Sequence, residues 1–374
     1  MNENTYRNNH YVCSECGARL EECEAHEFNG EIYCESCLEE LTVLCDCCSR
    51  RIFRDNAEGD SNYTLCSNCY ENRYSTCDDC GCLVHNDDLC YDEDSDYAYC
   101  QNCYQKLKGI HSYSYKPNPI FYGSESNLYM GVELEIDKGG EINENAEKLT
   151  DIGNRSEEHI YCKHDGSLCE GFEIVSHPMT LEYHRDKMNW KEIFTEALGM
   201  NYYSHNTSTC GLHVHCNRDF FGEDHSTQDI SIGRVVYLVE RYWNELIRFS
   251  RRRADALERW AARYATISNT AQETYKKAKD KHLGRYVAVN LCNYDTIEFR
   301  LFRGTLRYET FIATLQLVSE ICEAAVSLTD SQIESLSWSE FVLRIDKEKR
   351  PELINYLKSK RLYVNEISEE SEEA

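Results

Sequence analysis

A threefold repeat of Cys-x-x-Cys pairs ending at Cys103, and short alternating strands separated by helical periods from Gly131 onward, predict an α+β protein: three small metal-bound modules, then a domain of mixed strands and helices. The chain of 374 residues fits about two domains. Its 41% hydrophobic content can build one sizeable core.

The cysteines bound the environment. Sixteen of the 22 precede residue 104. Met1 is followed by polar residues and not by a signal-peptide apolar run, and no apolar stretch of about 18 residues stands out later, so the chain reads as soluble, cytoplasmic and without a membrane partner. Reducing conditions there disfavour disulfides and make clustered cysteines metal ligands. A net charge of −26 argues against nucleic-acid binding, which needs a basic surface.

Within the repeat, Cys13-x-x-Cys16, Cys45-x-x-Cys48 and Cys77-x-x-Cys80 recur at an interval of 32 residues, each followed by a second pair: Cys34 and Cys37, Cys66 and Cys69, Cys100 and Cys103. Four thiolates per unit fill a closed tetrahedral zinc site and leave no open position for catalysis. Strand-like runs (Glu31-Ile32-Tyr33, Tyr63-Thr64-Leu65, Tyr97-Ala98-Tyr99) enter the second pair and helix-like segments leave it. Each unit therefore resembles a treble-clef or LIM-type zinc module, with boundaries at 11–42, 43–74 and 75–108, and three structural Zn²⁺ are expected. Units of about 30 residues are too small to fold unaided, so the metal supplies the missing stability. The ligands pair within a repeat or interleave across the seven-residue gaps. Cys23, His26, Cys47, Cys82, His85 and Cys90 are spare ligand candidates or, on the simpler reading, ordinary packing or surface positions. With 23 acidic against 8 basic residues between 1 and 110, the modules serve protein recognition or substrate presentation, or cap the second domain. Residues 1–10 read as a disordered lead-in.

After a linker over 109–127, the second domain spans 128–330. In its first strand Val132, Leu134 and Ile136 point to a core while Glu133 and Glu135 share the other face, about 7 Å apart. Such a pair is either a metal cradle or a solvated face. A helix is expected over 141–153, then strands from His159 to Lys163 and from Gly171 to Ser176 around a His164-Asp165-Gly166-Ser167 turn, with Glu173 facing away from the core. A single amphipathic helix follows from Leu181 to about Leu198. From Cys210 to Cys216, Leu212 and Val214 point inward and His213 and His215 outward, as a metal or phosphate site or as satisfied polar residues. Ser231 to Tyr264 reads as one long helix or two abutting ones, with Arg251-Arg252-Arg253 a solvated basic turn or an anion contact. Tyr286 to Leu291 and Ile297 to Phe302 form a hairpin whose Glu298 and Arg300 face away from the core, with Arg303 at the strand end. A buried helix over 306–328, shorter helices over 331–364 and a disordered acidic tail over 365–374 complete the chain. Gly-rich phosphate loops are missing from the pattern. Cys162, Cys169, Cys210, Cys216, Cys292 and Cys322 form no Cys-x-x-Cys pair and no further zinc site is expected from them.

The ordered set Gly131-Val-Glu-Leu-Glu, Asp165-Gly-Ser with Gly171-Phe-Glu-Ile-Val, Gly211-Leu-His-Val-His and Ile297-Glu-Phe-Arg-Leu-Phe-Arg-Gly resembles the amidoligase family, a branch of the carboxylate-amine ligases that include glutamine synthetase and glutamate-cysteine ligase and one often found in phages and bacteria. The resemblance covers roughly 128–325. It implies an antiparallel, glutamine-synthetase-like sheet whose concave face holds ATP and two or three Mg²⁺ or Mn²⁺ ions. By motif position Glu133, Glu135, Glu173, His213 and Glu298 are metal ligands, His215 contacts ATP, Arg300 and Arg303 hold the transferred phosphoryl group, and Asp165 binds the incoming amine or accepts its proton. The implied activity is an ATP- and Mg²⁺-dependent ligase that joins a carboxylate to an amine, peptide- or protein-borne substrates included, through an acyl phosphate. The zinc modules stand where glutamine synthetase has the small domain that completes its site between subunits, which leaves the oligomeric state open. Two other readings use the same residues: a metal-dependent hydrolase, and an inactive zinc-rich adaptor.

Overall fold

The computed structural model describes residues 11–91, 97–106, 109–205, 207, 209–280 and 283–363; the predicted lead-in and the acidic tail over 365–374 lie outside them. The chain divides into two compact units, Met1–Leu107 and Lys108–Ala374.

In the first unit each repeat folds as a knuckle, a hairpin and a short helix. The hairpins pair His26–Phe28 with Glu31–Tyr33, Glu58–Gly59 with Thr64–Leu65, and Cys90–Tyr91 with Ala98–Tyr99. The helices Glu35–Leu41, Ser67–Arg73 and Gln101–Lys106 each start one residue after the first cysteine of the second pair. That cysteine acts as a helix cap in two modules: Cys34 Sγ accepts the N–H of Cys37 at 3.5 Å and Cys100 Sγ that of Cys103 at 3.4 Å. The sulfurs of Cys13, Cys16, Cys34 and Cys37 lie within 4.8 Å of one another, as do those of Cys45, Cys48, Cys66 and Cys69 and those of Cys77, Cys80, Cys100 and Cys103. The ligands therefore pair within each repeat, and the interleaved alternative is set aside. Three tetrads of this kind can bind zinc. Apart from their cysteines, the buried cores of the modules are a few residues each, such as Leu20 with Tyr33 in the first and Val84 in the third, too little apolar area to fold without metal. Phe53 stacks edgewise on Phe28 at 5.0 Å, joining the first two modules. Asp60 Oδ2 accepts the N–H of Leu83 at 3.0 Å, joining the second and third.

The second unit is organised on a seven-stranded sheet of Ile110–His111 (β1), Met130–Ile136 (β2), Ile160–Lys163 (β3), Phe172–Ser176 (β4), Gly211–Asn217 (β5), Val289–Asn290 (β6) and Thr296–Arg303 (β7), in the order β1-β3-β4-β2-β5-β7-β6. All neighbours are antiparallel except β1 and β3, which run parallel. The stretch read as a linker over 109–127 is part of this unit: it supplies β1, and Tyr122 is only 8% exposed with its hydroxyl on the carbonyl of Glu158 at 2.9 Å.

Alternation gives the sheet one apolar face, where Val132, Leu134, Ile174, Leu212, Val214, Ile297 and Phe299 have no exposed surface. Helices bury it. The central one, Tyr308–Ser327 (α1), is apolar nearly all round and packs on Pro351–Ser359 and His225–Arg241. It is long and apolar enough to cross a membrane, which the sequence reading had not credited, and 78% of its apolar window is buried in the fold.

Four segments differ from expectation. The hairpin arm expected from Tyr286 to Leu291 is strand only at Val289–Asn290, because Tyr286 and Ala288 bond the backbone of Ala262 instead. The helix expected over 181–198 is two, Leu181–Asp186 and Trp190–Gly199, because Asn189 donates to the carbonyl of Ile152 at 3.0 Å and Trp190 drops into the core with its Nε1 on His184 at 3.3 Å. Ser231 to Tyr264 belongs to three helices, His225–Arg241, Trp243–Ser250 and Ala254–Trp260; Arg251, at φ 54°, ends the second. The polar stretch before Leu283 contains a helix, Ala271–Asp280, whose Ala271, Thr274, Tyr275 and Ala278 are buried at helical spacing, a stripe obscured by its lysines.

Two outcomes follow from this packing. Purified protein should carry about three zinc ions per chain by elemental analysis, and strong chelation should unfold the modules. Phe311 is fully buried against Trp190 at 4.9 Å and Phe194 at 5.2 Å, so Phe311→Ala should lower the stability of the second unit by ~3–5 kcal/mol in denaturant titration.

Candidate functional site

Alternation puts polar side chains on the second face of the sheet, and strand register decides which of them meet. Lys163 on β3 stands opposite Glu173 on β4, which stands opposite Glu135 on β2. Glu133 on β2 stands opposite His213 on β5, and His215 on β5 opposite Glu298 on β7. Between β5 and β7 the pairing slips, with Leu212 opposite Phe302 and Val214 opposite Phe299. Arg300 and Leu301 therefore share the one partner His213, a β-bulge that lets Leu301 and Phe302 both bury while Arg300 keeps the polar face.

The result is a dense carboxylate and imidazole cluster. His213 Nδ1 is 3.3 Å from Glu133 Oε2 and 3.6 Å from Glu298 Oε1, and its Nε2 is 3.8 Å from Glu135 Oε1. His215 Nε2 is 3.3 Å from Glu133 Oε1 and 3.9 Å from Glu298 Oε1, and its other nitrogen lies 3.2 Å from the Thr296 hydroxyl. Two triads, Glu133 with His215 and Glu298, and Glu133 with Glu173 and His213, each bring ligand atoms within 4.8 Å of one another. His213 Nε2 and His215 Nε2 are buried with no hydrogen-bond partner among the described residues. These imidazole nitrogens are buried among carboxylates, with Glu133 Oε1 at 3.3 Å from His215 and Glu135 Oε1 at 3.8 Å from His213 but no well-formed hydrogen bond, and a divalent cation shared with the carboxylates would satisfy such a donor set.

Electrostatics follow from crowding. Burial raises the Glu173 carboxyl well above the ordinary range and the Glu133 charge adds to it; Lys163, with Nζ at 3.4 Å, offsets part. Burial also raises Glu135, whose Oε2 accepts the N–H of Gly211 at 2.5 Å. Burial pushes Glu133 and Glu298 the same way, but the neighbouring imidazoles, His215 foremost, hold both below the usual carboxylate range. His215, opposed by burial, is raised by Glu133. Glu298 further accepts from Asn290 at 2.7 Å and from the Arg300 guanidinium.

The cluster is the floor of a cavity of about 610 Å³. Asp165 lines it from the turn after β3, where its Oδ1 accepts the N–H of Ser167 at 2.6 Å. Arg303 is set apart from the lining, near Arg251 and Tyr356. Other cations line the cavity: Lys163 and Arg285, which sequence reasoning did not single out, and Arg252, for which it had kept an anion contact as the alternative to a solvated turn. Arg252 is no solvated turn residue, being 6% exposed, with its guanidinium on the carbonyl of Arg300; Arg251 and Arg253 are exposed as expected. A Cβ on Gly211 would come within 2.9 Å of His213 Nε2 and 3.3 Å of Arg252 Nη1, so glycine there keeps room for both. The alternation of β3 could have flagged Lys163, because Ile160 and Cys162 are core and position 163 takes the other face. Arg285 precedes its strand and carried no periodic signal; its guanidinium donates to the hydroxyls of Tyr113 at 3.0 Å and Tyr286 at 2.9 Å.

Residues 149–322 match a family model described as "Putative amidoligase enzyme". The matched segment contains Asp165, Glu173, His213, His215, Glu298 and Arg300, while Glu133 and Glu135 precede it. Comparison with curated proteins finds no match.

Because Glu173 holds its proton unusually firmly and His215 its charge, a metal must displace protons from the cluster. Affinity for Mg²⁺ or Mn²⁺ should therefore rise with pH, with proton release visible as a buffer-dependent binding enthalpy in calorimetry. His213→Ala should abolish this binding while leaving the zinc content unchanged.

Proposed function

On the premise that residues 149–322 form an amidoligase-type domain, we propose that this protein is an ATP- and Mg²⁺-dependent carboxylate-amine ligase that works through an acyl phosphate on a glutamine-synthetase-like sheet. The observation that carries the reading is the buried cluster of Glu133, Glu173, Glu298, His213 and His215, whose ligand atoms fall into triads within 4.8 Å, next to the Arg300 guanidinium in one cavity. Joining a carboxylate to an amine in water is uphill, and Mg²⁺-bound ATP supplies the driving force and the phosphoryl group.

In this reading Glu133, Glu135, Glu173 and Glu298 would hold Mg²⁺ through hard carboxylate oxygens, which suit that ion, with His213 adding one imidazole nitrogen. His215 faces the nucleotide. Arg300 neutralises charge on the phosphoryl group in flight; its orientation is set by Glu298 and by the carbonyl of Trp260, on which Nε sits at 3.4 Å. Arg252 acts from beneath, through the Arg300 backbone. The role given to Arg303 belongs more naturally to Arg285, which lines the cavity as Arg303 does not. Asp165 binds the amine or accepts its proton. The substrates are a carboxylate and an amine, peptide-borne ones included, and the zinc modules recognise the substrate or a partner protein.

ATP turnover to ADP and phosphate should require a carboxylate and an amine together. Glu298→Gln should weaken Mg²⁺ dependence and turnover in parallel with the fold intact. Arg300→Lys keeps the charge but not the forked geometry, so nucleotide should still bind while the rate falls by about 10² or more. Full activity in both variants, or amide cleavage without nucleotide, would replace this reading with that of a metal-dependent hydrolase.

A further inference from the structure

The three modules are built alike but are not identical at the metal. In the first, Cys16 is an exposed ligand thiol whose sulfur lies 3.8 Å from that of Cys34. In the third, Cys80 is likewise exposed and lies 3.8 Å from Cys100. The difference is two residues on. The knuckle turns through Gly17 and Gly81, both at φ +72°, and the next residue is Ala18 in the first module, Arg50 after Ser49 in the second, and Cys82 in the third. The Cys82 sulfur is 3.3 Å from that of Cys80 and also interacts with the thiol of Cys100. Five thiols thus converge in the third module; the second also has a fifth, Cys47, which meets the Cys69 thiol from inside its Cys-x-x-Cys pair and not from the position after the knuckle glycine. Cys82 is also less exposed than Cys80.

We propose that Cys82 is a reserve zinc ligand: the third module has five thiols for four coordination positions, and Cys82 takes the place of Cys80 when Cys80 is unavailable. The chemistry is a ligand exchange at constant oxidation state: the Cys82 thiol gives its proton to solvent and binds as thiolate, while the modified Cys80 sulfur leaves the ion, which stays four-coordinate. Zn²⁺ has no geometric preference from its d electrons, and thiolate is its favoured donor in such knuckles. Movement of Cys82 onto the metal requires a side-chain rotation within a turn that is already closed, since the N–H of Cys77 bonds to the carbonyl of Cys82 at 2.9 Å. A thiol standing behind the most exposed ligand protects the ion against alkylation or oxidation of that ligand, which is the first sulfur a reagent meets. The first module, with alanine in that place, has no such protection there.

The inference rests on the tetrads holding zinc, which the metal content of the unaltered chain tests separately. The experiment compares the full chain with Cys80→Ser, Cys82→Ser, the double variant and Cys16→Ser, measuring zinc by elemental analysis and, after exchange with Co²⁺, the visible absorption that distinguishes four-thiolate from mixed sulfur and oxygen coordination. Cys80→Ser and Cys82→Ser should each keep the zinc of the unaltered chain and an all-thiolate cobalt spectrum. Cys16→Ser and the double variant should each lose about one equivalent or show oxygen ligation. The proposal is overturned if Cys80→Ser behaves like Cys16→Ser, if Cys82→Ser alone loses metal, or if the double variant keeps an all-thiolate site. A zinc-free unaltered chain would instead remove the zinc reading itself.

Discussion

The second unit depends on a like-charge problem. Glu133, Glu135, Glu173 and Glu298 occupy one face of a sheet, three of them with almost no access to solvent, and Glu135 stands directly opposite Glu173. Four ionised carboxylates so placed would repel one another by several kcal/mol at an effective dielectric near 20. The fold offsets this with His213 and His215 between the acids, Lys163 and Arg300 at the two ends, the N–H of Gly211 on Glu135 and the amide of Asn290 on Glu298. What remains uncompensated, above all the raised Glu173 carboxyl, is the part that a divalent cation would relieve.

That arrangement accounts for features that look local. The bulge opposite His213 lets the chain bury Leu301 and Phe302 and still keep Arg300 beside Glu298. Gly211 leaves room for the His213 ring and for Arg252. Asp137 accepts the N–H groups of Lys138 and Glu170, each at 2.8 Å, tying the end of β2 to the loop that carries Asp165. Each of these trades ordinary packing for the position of a charged group, and the apolar face, with its helices, supplies the stability that the polar face lacks.

The first unit solves a different problem by the same means. Its modules hold too little apolar surface to offset chain entropy, so the thiol tetrads act as cores and the hairpins and capped helices exist to present them.

The sequence by itself determined the metal-ligating repeat and the face of each strand, because Cys-x-x-Cys spacing and period-two alternation are local properties of the backbone. It could therefore show that Glu133 shares a face with Glu135 and His213 with His215. It could not show that Glu133 meets His213 while His215 meets Glu298, since register is set by bulges and turns far apart in the chain. Nor could it separate within-repeat from interleaved zinc ligands. Arg285 became visible as a lining cation only once the chain was folded, and Arg303 fell outside the cavity lining, because a charged residue at the end of a strand or helix has no periodic partner to give its direction away; for Arg252 the fold decided between a solvated turn and a buried contact. The break at Asn189 and the three helices in place of one or two belong to the same class: a helix continues or stops according to what the core will accept at that point, and only the tertiary structure, with Trp190 seated beside His184, decides it.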